Sequence, residues 1–202
     1  MEKHSRLWGM RCYLVGAMDR VPDHGVTWRR AMTPFLANLG VVVLDPSDKP
    51  ISIGLEGTEH HDRRRELIKA GHYDAAAKEI HLLRVIDLRM VDMSDFIIVN
   101  IDTEAHACGT YEETSWANRL KNPILIHCEQ GKSGLPGWLW GMIPHQHVFG
   151  TWIELKKYLY HVHTAPEVDP MKRWMFFDYK RMMPKVSIEE AATYVPDFST
   201  HG

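Results

Sequence analysis

The chain has 202 residues, 45% hydrophobic and 25% charged, with 24 Lys and Arg against 26 Asp and Glu for a formal net charge of −2. That length suits one domain with an appendage and is ample for a core, and the even balance excludes the basic excess expected of a nucleic-acid surface. No stretch reaches the roughly 18 apolar residues of a membrane span, and the three scattered cysteines, Cys12, Cys108 and Cys128, frame no disulfide scaffold, so reduced thiols in a cytoplasmic compartment are expected.

The opening MEKHSRLWGMRCYLVGAM has a charged start, but Arg11 interrupts its apolar run and no small-residue cleavage site follows, so no signal peptide is expected. RCYLVGAM (11–18) reads as a buried first strand ending at Gly16. Residues 19–28 are loop chemistry, followed by a helix through WRRAMTPFLANLG in which Pro34 either bends the helix or marks its first turn. Gly40 is the helix stop. VVVLDP (41–46) is a second strand, rich in β-branched residues and closed by Asp45-Pro46.

Residues 47–73 form a polar excursion containing Gly54, Gly57, His60, His61 and DRRRE at 62–66. A helix is expected from about Asp74 to Ser94, a third strand at 95–102 (DFIIVNID) and a fourth at 122–128 (NPILIHC). Near-continuous apolar strands alternating with helices predict an α/β fold: a doubly wound, Rossmann- or flavodoxin-like, mostly parallel sheet of about five strands with helices on both faces. Beyond Cys128 the chain turns loop-rich and aromatic, and TWIELKKYLYHV (151–162) reads as a closing helix. Two domains of unequal weight follow: residues 1–163 as the main domain, and 164–202 as an extension. With its KRWMFFDYKRMM cluster the extension is too apolar for a free tail, so it packs on the domain or on a neighbouring subunit.

Two carboxylates stand out. Thr110 and Glu113 in GTYEET (109–114) fit a capping box, in which each side chain satisfies an orphan backbone N–H. Yet this helix begins where a parallel strand ends, and open α/β sheets bind ligands at the carboxyl ends of their strands. A carboxylate there can also serve as nucleophile or base. Asp87 interrupts the helical stripe Ile80, Leu83, Met90 and Val91. An unpaired charge on that face costs several kcal/mol by order of magnitude, so Asp87 either pairs with Arg84 or an arginine of DRRRE, or faces a site.

Other signals weigh less. EQGKSG (129–134) lacks the glycine five residues before its Gly-Lys-Ser, Ile126 standing there, so it reads as a turn rather than a phosphate loop. The pairs His60-His61, His145-x-His147 and His161-x-His163 have no carboxylate or cysteine at ligand spacing, and no metal is expected. Trp138, Trp140, Trp152 and Trp174 read as core or interface aromatics.

Taken in order, Tyr13-Leu14-Val15-Gly16, the run from Asp87 to Ser94-Asp95, and GTYEETSWA at 109–117 resemble the nucleoside 2-deoxyribosyltransferase family, which includes the deoxynucleoside 5′-monophosphate N-glycosidases. The resemblance covers roughly residues 11–128, leaving 47–73 and everything after about 163 outside it. It implies that Glu113 is the nucleophile and that Asp87 orients the sugar or the nucleophile. It also implies no cofactor, a small-molecule nucleoside or nucleotide substrate, and a homo-oligomer in which a neighbour completes the site. Tyr13 and Trp28 become candidates to contact the base, Gly16 a point of close backbone approach, and Asp45, Gly109 and Thr110 further substrate-binding candidates. Ser115 replaces the family's glycine two residues after the nucleophile. Ala107 stands where many members carry an acidic residue that holds the base, leaving Asp102 or His106 as replacements from the same loop. Arg63, Arg64, Arg65 and Arg89, with Ser47, are candidates to recognise a 5′-phosphate or else are surface charge.

The expected activity is cleavage or transfer at the N-glycosidic bond of a 2′-deoxynucleoside or its 5′-monophosphate, through a covalent glycosyl-glutamate. Two alternatives share these residues: hydrolysis of NAD in the manner of TIR-type glycohydrolases, and a non-catalytic nucleotide-binding or sensor domain in which Glu113 caps its helix.

Overall fold

Side chains alternate across a strand, and that alternation decides the layering here. In the computed structural model, which describes residues 6–19, 21–49, 51–53, 58–164 and 172–182, the sheet is built from β1 (Arg11–Gly16), β2 (Val42–Leu44), β3 (Phe96–Ile101), β4 (Ile124–Cys128) and β5 (Val148–Phe149). Their order is β2-β1-β3-β4-β5 and every pairing is parallel. Cys12 and Leu14 of β1 face one core cluster with Phe96 and Ile98 of β3. Tyr13 and Val15 face the opposite cluster with Ile97, Val99 and Ile101. Both faces are dry, which is why the strands read as unbroken apolar runs.

The expected α/β architecture therefore holds, with four of the five strands where the apolar runs stand. The fifth, Val148–Phe149, lies in the stretch read as loop. Two residues are too short to carry a periodic signal.

Helices cover both faces. On the first lie α1 (Val26–Asn38) and α6 (Trp152–Thr164), which supply Met32, Leu36, Leu155, Leu159 and Val162 to the core. On the second lie α3 (Tyr73–Met93) and α4 (Cys108–Arg119), which supply Met90, Val91 and Ala117. Each of these side chains larger than alanine contributes roughly 1.5–3 kcal/mol by leaving water. The short helix α5 (Gly137–Trp140) adds Leu139 to the second cluster. Pro34 lies inside α1, which begins two residues earlier than the sequence suggests. It marks no first turn.

The polar excursion contains a helix, α2 (Thr58–Lys69), paired with α3. Its residues His61, Arg64, Arg65 and Ile68 recur at helical spacing, but the face they form is cationic, so no hydrophobic period announces it. Gly54 and Gly57 lie outside the described residues.

Of the extension, residues 172–182 pack on the same chain. Trp174 is buried in the first cluster, 5.2 Å from Phe96 and 5.8 Å from Phe176 between ring centroids, and its indole N–H donates to the Tyr158 hydroxyl at 3.2 Å. In α7 (Tyr179–Met182), burial and a hydrogen bond to Asp95 push the Tyr179 hydroxyl up to about 12. Asp95 also holds the Arg11 guanidinium at 3.0 Å. Residues 165–171 and 183–202 of the expected extension lie outside the described residues.

Candidate active site

In the order β2-β1-β3, the chain reverses direction of travel between β1 and β3, and the loops leaving their carboxyl ends diverge to open a crevice. A cavity of about 400 Å³ lies there, lined from β1 by Tyr13 and Gly16, from α3 by Asp87, and from α4 by Gly109, Thr110 and Glu113. Six residues from three separate stretches of sequence thus meet around one space.

Tyr13 is fully buried, and its hydroxyl donates to Glu113 Oε1 at 2.7 Å. β1 determines this contact: as an odd-numbered strand residue, Tyr13 points toward the α3–α4 layer, and its length reaches the carboxylate one turn into α4. The neighbouring glutamate turns away. Glu112 pairs with Arg84 on the outer surface, Arg84 Nε donating to Glu112 Oε2 at 2.9 Å, and this contact holds the Glu112 carboxyl below the usual carboxylate range.

The capping box does not form. Helix α4 starts at Cys108, its N-cap is Ala107 with no capping side chain, and Thr110 is the third helical residue. Thr110 is instead buried, its carbonyl accepting from Thr114 Oγ1 at 2.6 Å. The helix N-terminus therefore opens on the cavity, with Ala107, Cys108 and Gly109 in its lining, and its unpaired backbone N–H groups and dipole favour negative charge there.

Asp87 is buried on α3, where it meets a cation that the sequence did not point to. Lys49 Nζ lies 2.7 Å from Asp87 Oδ1. Arg84, three residues away on the same helix, is committed to Glu112. The stripe on α3 divides at this point: Met90 and Val91 enter the core, while Ile80 and Leu83 wall the cavity. An apolar wall facing two carboxylates suits a ligand with one flat apolar part and one polar part.

Arg29 of α1 completes the floor and carried no signal in the sequence. It is fully buried, donating to the carbonyls of Leu14 (3.2 Å), Gly16 (2.9 Å) and Gly25 (2.9 Å), with Asp45 at 3.7 Å. Gly25 adopts φ +69°, and a Cβ there would meet Arg29 Nη1 at 2.4 Å and the Ala17 carbonyl at 2.5 Å. The loop after β1 is thus wrapped around one guanidinium.

Opposite α4, the cationic face of α2 contributes His61, Arg64 and Arg65 to the lining. His61 stacks on His24 with centroids 4.7 Å apart, Arg64 Nη2 lies 3.3 Å from His61 Nδ1, and Arg65 pairs with Asp19 at 2.8 Å. These contacts tie α2 to the loop after β1. Arg63 pairs with Glu79, Arg89 lies 3.8 Å from Asp92, and Ser47 bonds Asp45. None of the three lines the cavity.

Three expected substrate contacts are elsewhere. Trp28 and Asp102 line a second cavity of about 470 Å³ on the other side of Ala17. Trp28 stacks on Trp152 at 5.2 Å, because α1 turns it toward α6. Asp102 accepts from Gln130 Nε2 at 2.6 Å and from the Glu104 N–H at 3.0 Å, so it organises its own loop. Asp45 accepts from the backbone and hydroxyl of Ser47 at 2.8 and 2.6 Å and faces Arg29, outside the first cavity. His106, by contrast, does line it. Gly16 also lines it, and a Cβ there would sit tightly against Trp28 Cζ2 at 3.0 Å and the Asn100 carbonyl at 3.3 Å, so its neighbours already favour a small residue.

No protein-family model matches the chain, and no curated protein is significantly similar to it in sequence. Among solved structures, a 2-deoxyribosyltransferase from the psychrotolerant bacterium Bacillus psychrosaccharolyticus superimposes with a TM-score of 0.51 at 15% identity, over 78% of this chain and 98% of that one. The chain has the deoxyribosyltransferase fold. Two looser superpositions are a 2-deoxyribosyltransferase from Leishmania mexicana (TM-score 0.47, 17% identity, 75% and 98% of the two chains) and a CMP N-glycosidase from Clostridium botulinum (0.41, 15%, 74% and 97%). On this deoxyribosyltransferase fold, Tyr13, Asp87 and Glu113 line one crevice at the strand ends. Among the described residues, no helix is long and apolar enough to cross a membrane.

Proposed function

We propose that this protein cleaves or transfers at the N-glycosidic bond of a 2′-deoxynucleoside or its 5′-monophosphate, with Glu113 as nucleophile. The observation that carries the reading is the Tyr13–Glu113 hydrogen bond at the edge of a cavity that Asp87 also lines. The Tyr13 hydroxyl aims the Glu113 carboxylate, and the start of α4 places its dipole on the same cavity.

In the first step a Glu113 oxygen forms a bond to C1′ as the C1′–N bond breaks. The bonding pair leaves with the nucleobase, which takes up a proton as it departs. Positive charge develops on the ring oxygen and C1′ in the transition state, where the two carboxylates of the cavity offset it. In the second step water, or the ring nitrogen of another base, attacks C1′ and the ester bond to Glu113 breaks, returning the carboxylate. The incoming group loses its proton. Asp87 orients the sugar hydroxyls, Tyr13 aims the nucleophile, and Ile80 and Leu83 offer an apolar wall to the base. The cationic face of α2, with Arg64 and Arg65, supports a substrate that bears a 5′-phosphate. Hydrolysis and transfer differ only in what enters second.

Three free thiols, one of them exposed, fit a cytoplasmic setting, and a homo-oligomer is expected on the resemblance of the motifs alone.

The test is incubation of the full chain with a panel of deoxynucleosides, their monophosphates and NAD, with and without acceptor bases, followed by chromatography. Free base from a deoxynucleotide, absent with Glu113→Gln, supports the reading. Nicotinamide release from NAD alone replaces it with dinucleotide hydrolysis. Binding without any turnover replaces it with a sensor role.

A further inference from the structure

Lys49 belongs to the segment that the family resemblance does not reach, yet it touches one of the two carboxylates. Its side chain is 1% exposed, its ammonium lies 2.7 Å from Asp87 Oδ1, and Asp87 is 10% exposed. Burying an ammonium is costly unless a partner compensates it. The chain builds a specific support for this one. Asp45, fixed by Arg29, accepts from the Ser47 N–H, and its carbonyl accepts from the Asp48 N–H at 3.1 Å. That turn, set directly after β2, delivers Lys49 to α3.

We propose that Lys49 is a positioning residue for the reaction, holding Asp87 as an anion that faces the cavity so that Glu113 keeps its own charge. The proposal rests on the reading of Glu113 as nucleophile. Two carboxylates that line one cavity repel, and repulsion of that kind favours a proton on one of the pair. A glutamate that carries that proton cannot attack C1′. A fixed cation against Asp87 removes the reason for sharing.

Other charged and titratable groups face the same space: Glu113 from α4, Arg29 from α1, His61, Arg64 and Arg65 from α2, His106 from the loop before α4, Tyr13 from β1 and Asp19 from the loop after it. Arg29 is engaged by three carbonyls and Asp45, Arg64 by His61, and Arg65 by Asp19. Arg84, one turn from Asp87 on α3, is engaged by Glu112. Among the described residues, Lys49 is a cation in an ion pair with Asp87 itself.

The experiment uses full-length wild type with Lys49→Met, Lys49→Gln and Lys49→Arg. Base release from deoxynucleoside monophosphates is followed from about pH 4 to pH 9. In parallel, each protein is treated with a water-soluble carbodiimide and an amine, and modification at residues 87 and 113 is mapped by mass spectrometry. The carboxyl oxygen adds to the carbodiimide carbon as the carboxyl proton passes to its nitrogen, and the amine then displaces the urea, so modification reports the protonated carboxyl without turnover. Loss of the ammonium is expected to raise the midpoint of the acid limb by about one pH unit. It should carry modification of Asp87 or Glu113 to correspondingly higher pH, while Lys49→Arg follows wild type. A folded Met or Gln variant whose midpoint and modification profile match wild type overturns the proposal.

Should wild type release no base, the functional reading fails and the modification profile alone decides the role of Lys49. If neither neutral variant folds, Lys49→Arg decides: a wild-type modification profile supports the proposal, and a displaced one overturns it.

Discussion

The Tyr13 hydroxyl and Glu113 Oε1 lie 2.7 Å apart although the residues are separated by 100 positions in the chain. Their meeting couples the centre of the sheet to the first turns of α4, because Tyr13 cannot move without disturbing both β1 neighbours. Tyr13→Phe should therefore leave the fold intact, cost about 1 kcal/mol of stability, and lower kcat/KM by about 10- to 100-fold. Thermal melting beside base-release kinetics checks both numbers. Wild-type kinetics in the Phe variant would remove Tyr13 from the machinery.

Glu112 and Glu113 are adjacent yet opposed in direction. Glu113→Gln should lower the rate by at least about 1,000-fold, since no neighbouring group can replace the attacking oxygen. Glu112→Gln, which only breaks the surface pair with Arg84, should stay within about twofold of wild type. Side-by-side assays of the two variants make the contrast, and equal losses would show that the effect is structural.

Arg29 is a different kind of residue. Arg29→Met leaves the carbonyls of Leu14, Gly16 and Gly25 without their donor and Asp45 without its cation. A loss of about 3–5 kcal/mol is expected. Denaturant unfolding measures it, and a loss under about 1 kcal/mol would mean the loop after β1 holds itself together.

Arg64 lines the cavity from α2, where the proposed 5′-phosphate would lie. Arg64→Ala should raise KM for a deoxynucleotide by about tenfold or more. KM for the matching unphosphorylated deoxynucleoside should change far less. Equal effects on both substrates would place the phosphate elsewhere.

Stability should fall in mild acid. His127 is buried on β4, its Nδ1 2.8 Å from Asn100 Oδ1 and its ring stacked 4.0 Å from Trp152. Burial pushes its imidazole below the ordinary 6.5, Glu129 opposing in part, and burial lowers His163 in the same sense. The unfolded chain takes up these protons below about pH 6.5 while the folded chain does not. The contribution is thus complete above that pH and declines below it until the folded imidazoles also titrate. Melting temperatures measured from about pH 8 to pH 5 should show the decline, and His127→Asn should flatten it. A profile that rises toward acid would contradict this sign.

Much of the fold was legible in the sequence because its causes are local and repetitive. Strands buried on both faces must be apolar along their length, so β1, β3 and β4 stood out, and α3 declared itself by its stripe to within a residue at either end. Gly109-Thr110 and Glu113 were legible as a helix start near a strand end, and Asp87 as a charge where an apolar residue belonged. By contrast β5 is two residues long, and the inward face of α2 is basic. Neither leaves a hydrophobic period to find.

The sequence by itself determined the layers, because whether a side chain prefers water or oil is a property of each residue and its spacing. Which polar groups meet was decided only by the tertiary structure. Asp87 was free, on the sequence, to choose Arg84 or any arginine of DRRRE, and it pairs with Lys49 because the turn after β2 ends beside α3. Trp28 and Asp102 sit near the same strand ends as Tyr13 but on the far side of Ala17, in a second cavity. Charged and aromatic partners come from distant segments, and their distance in space is set by how the strands are ordered, which no local pattern records.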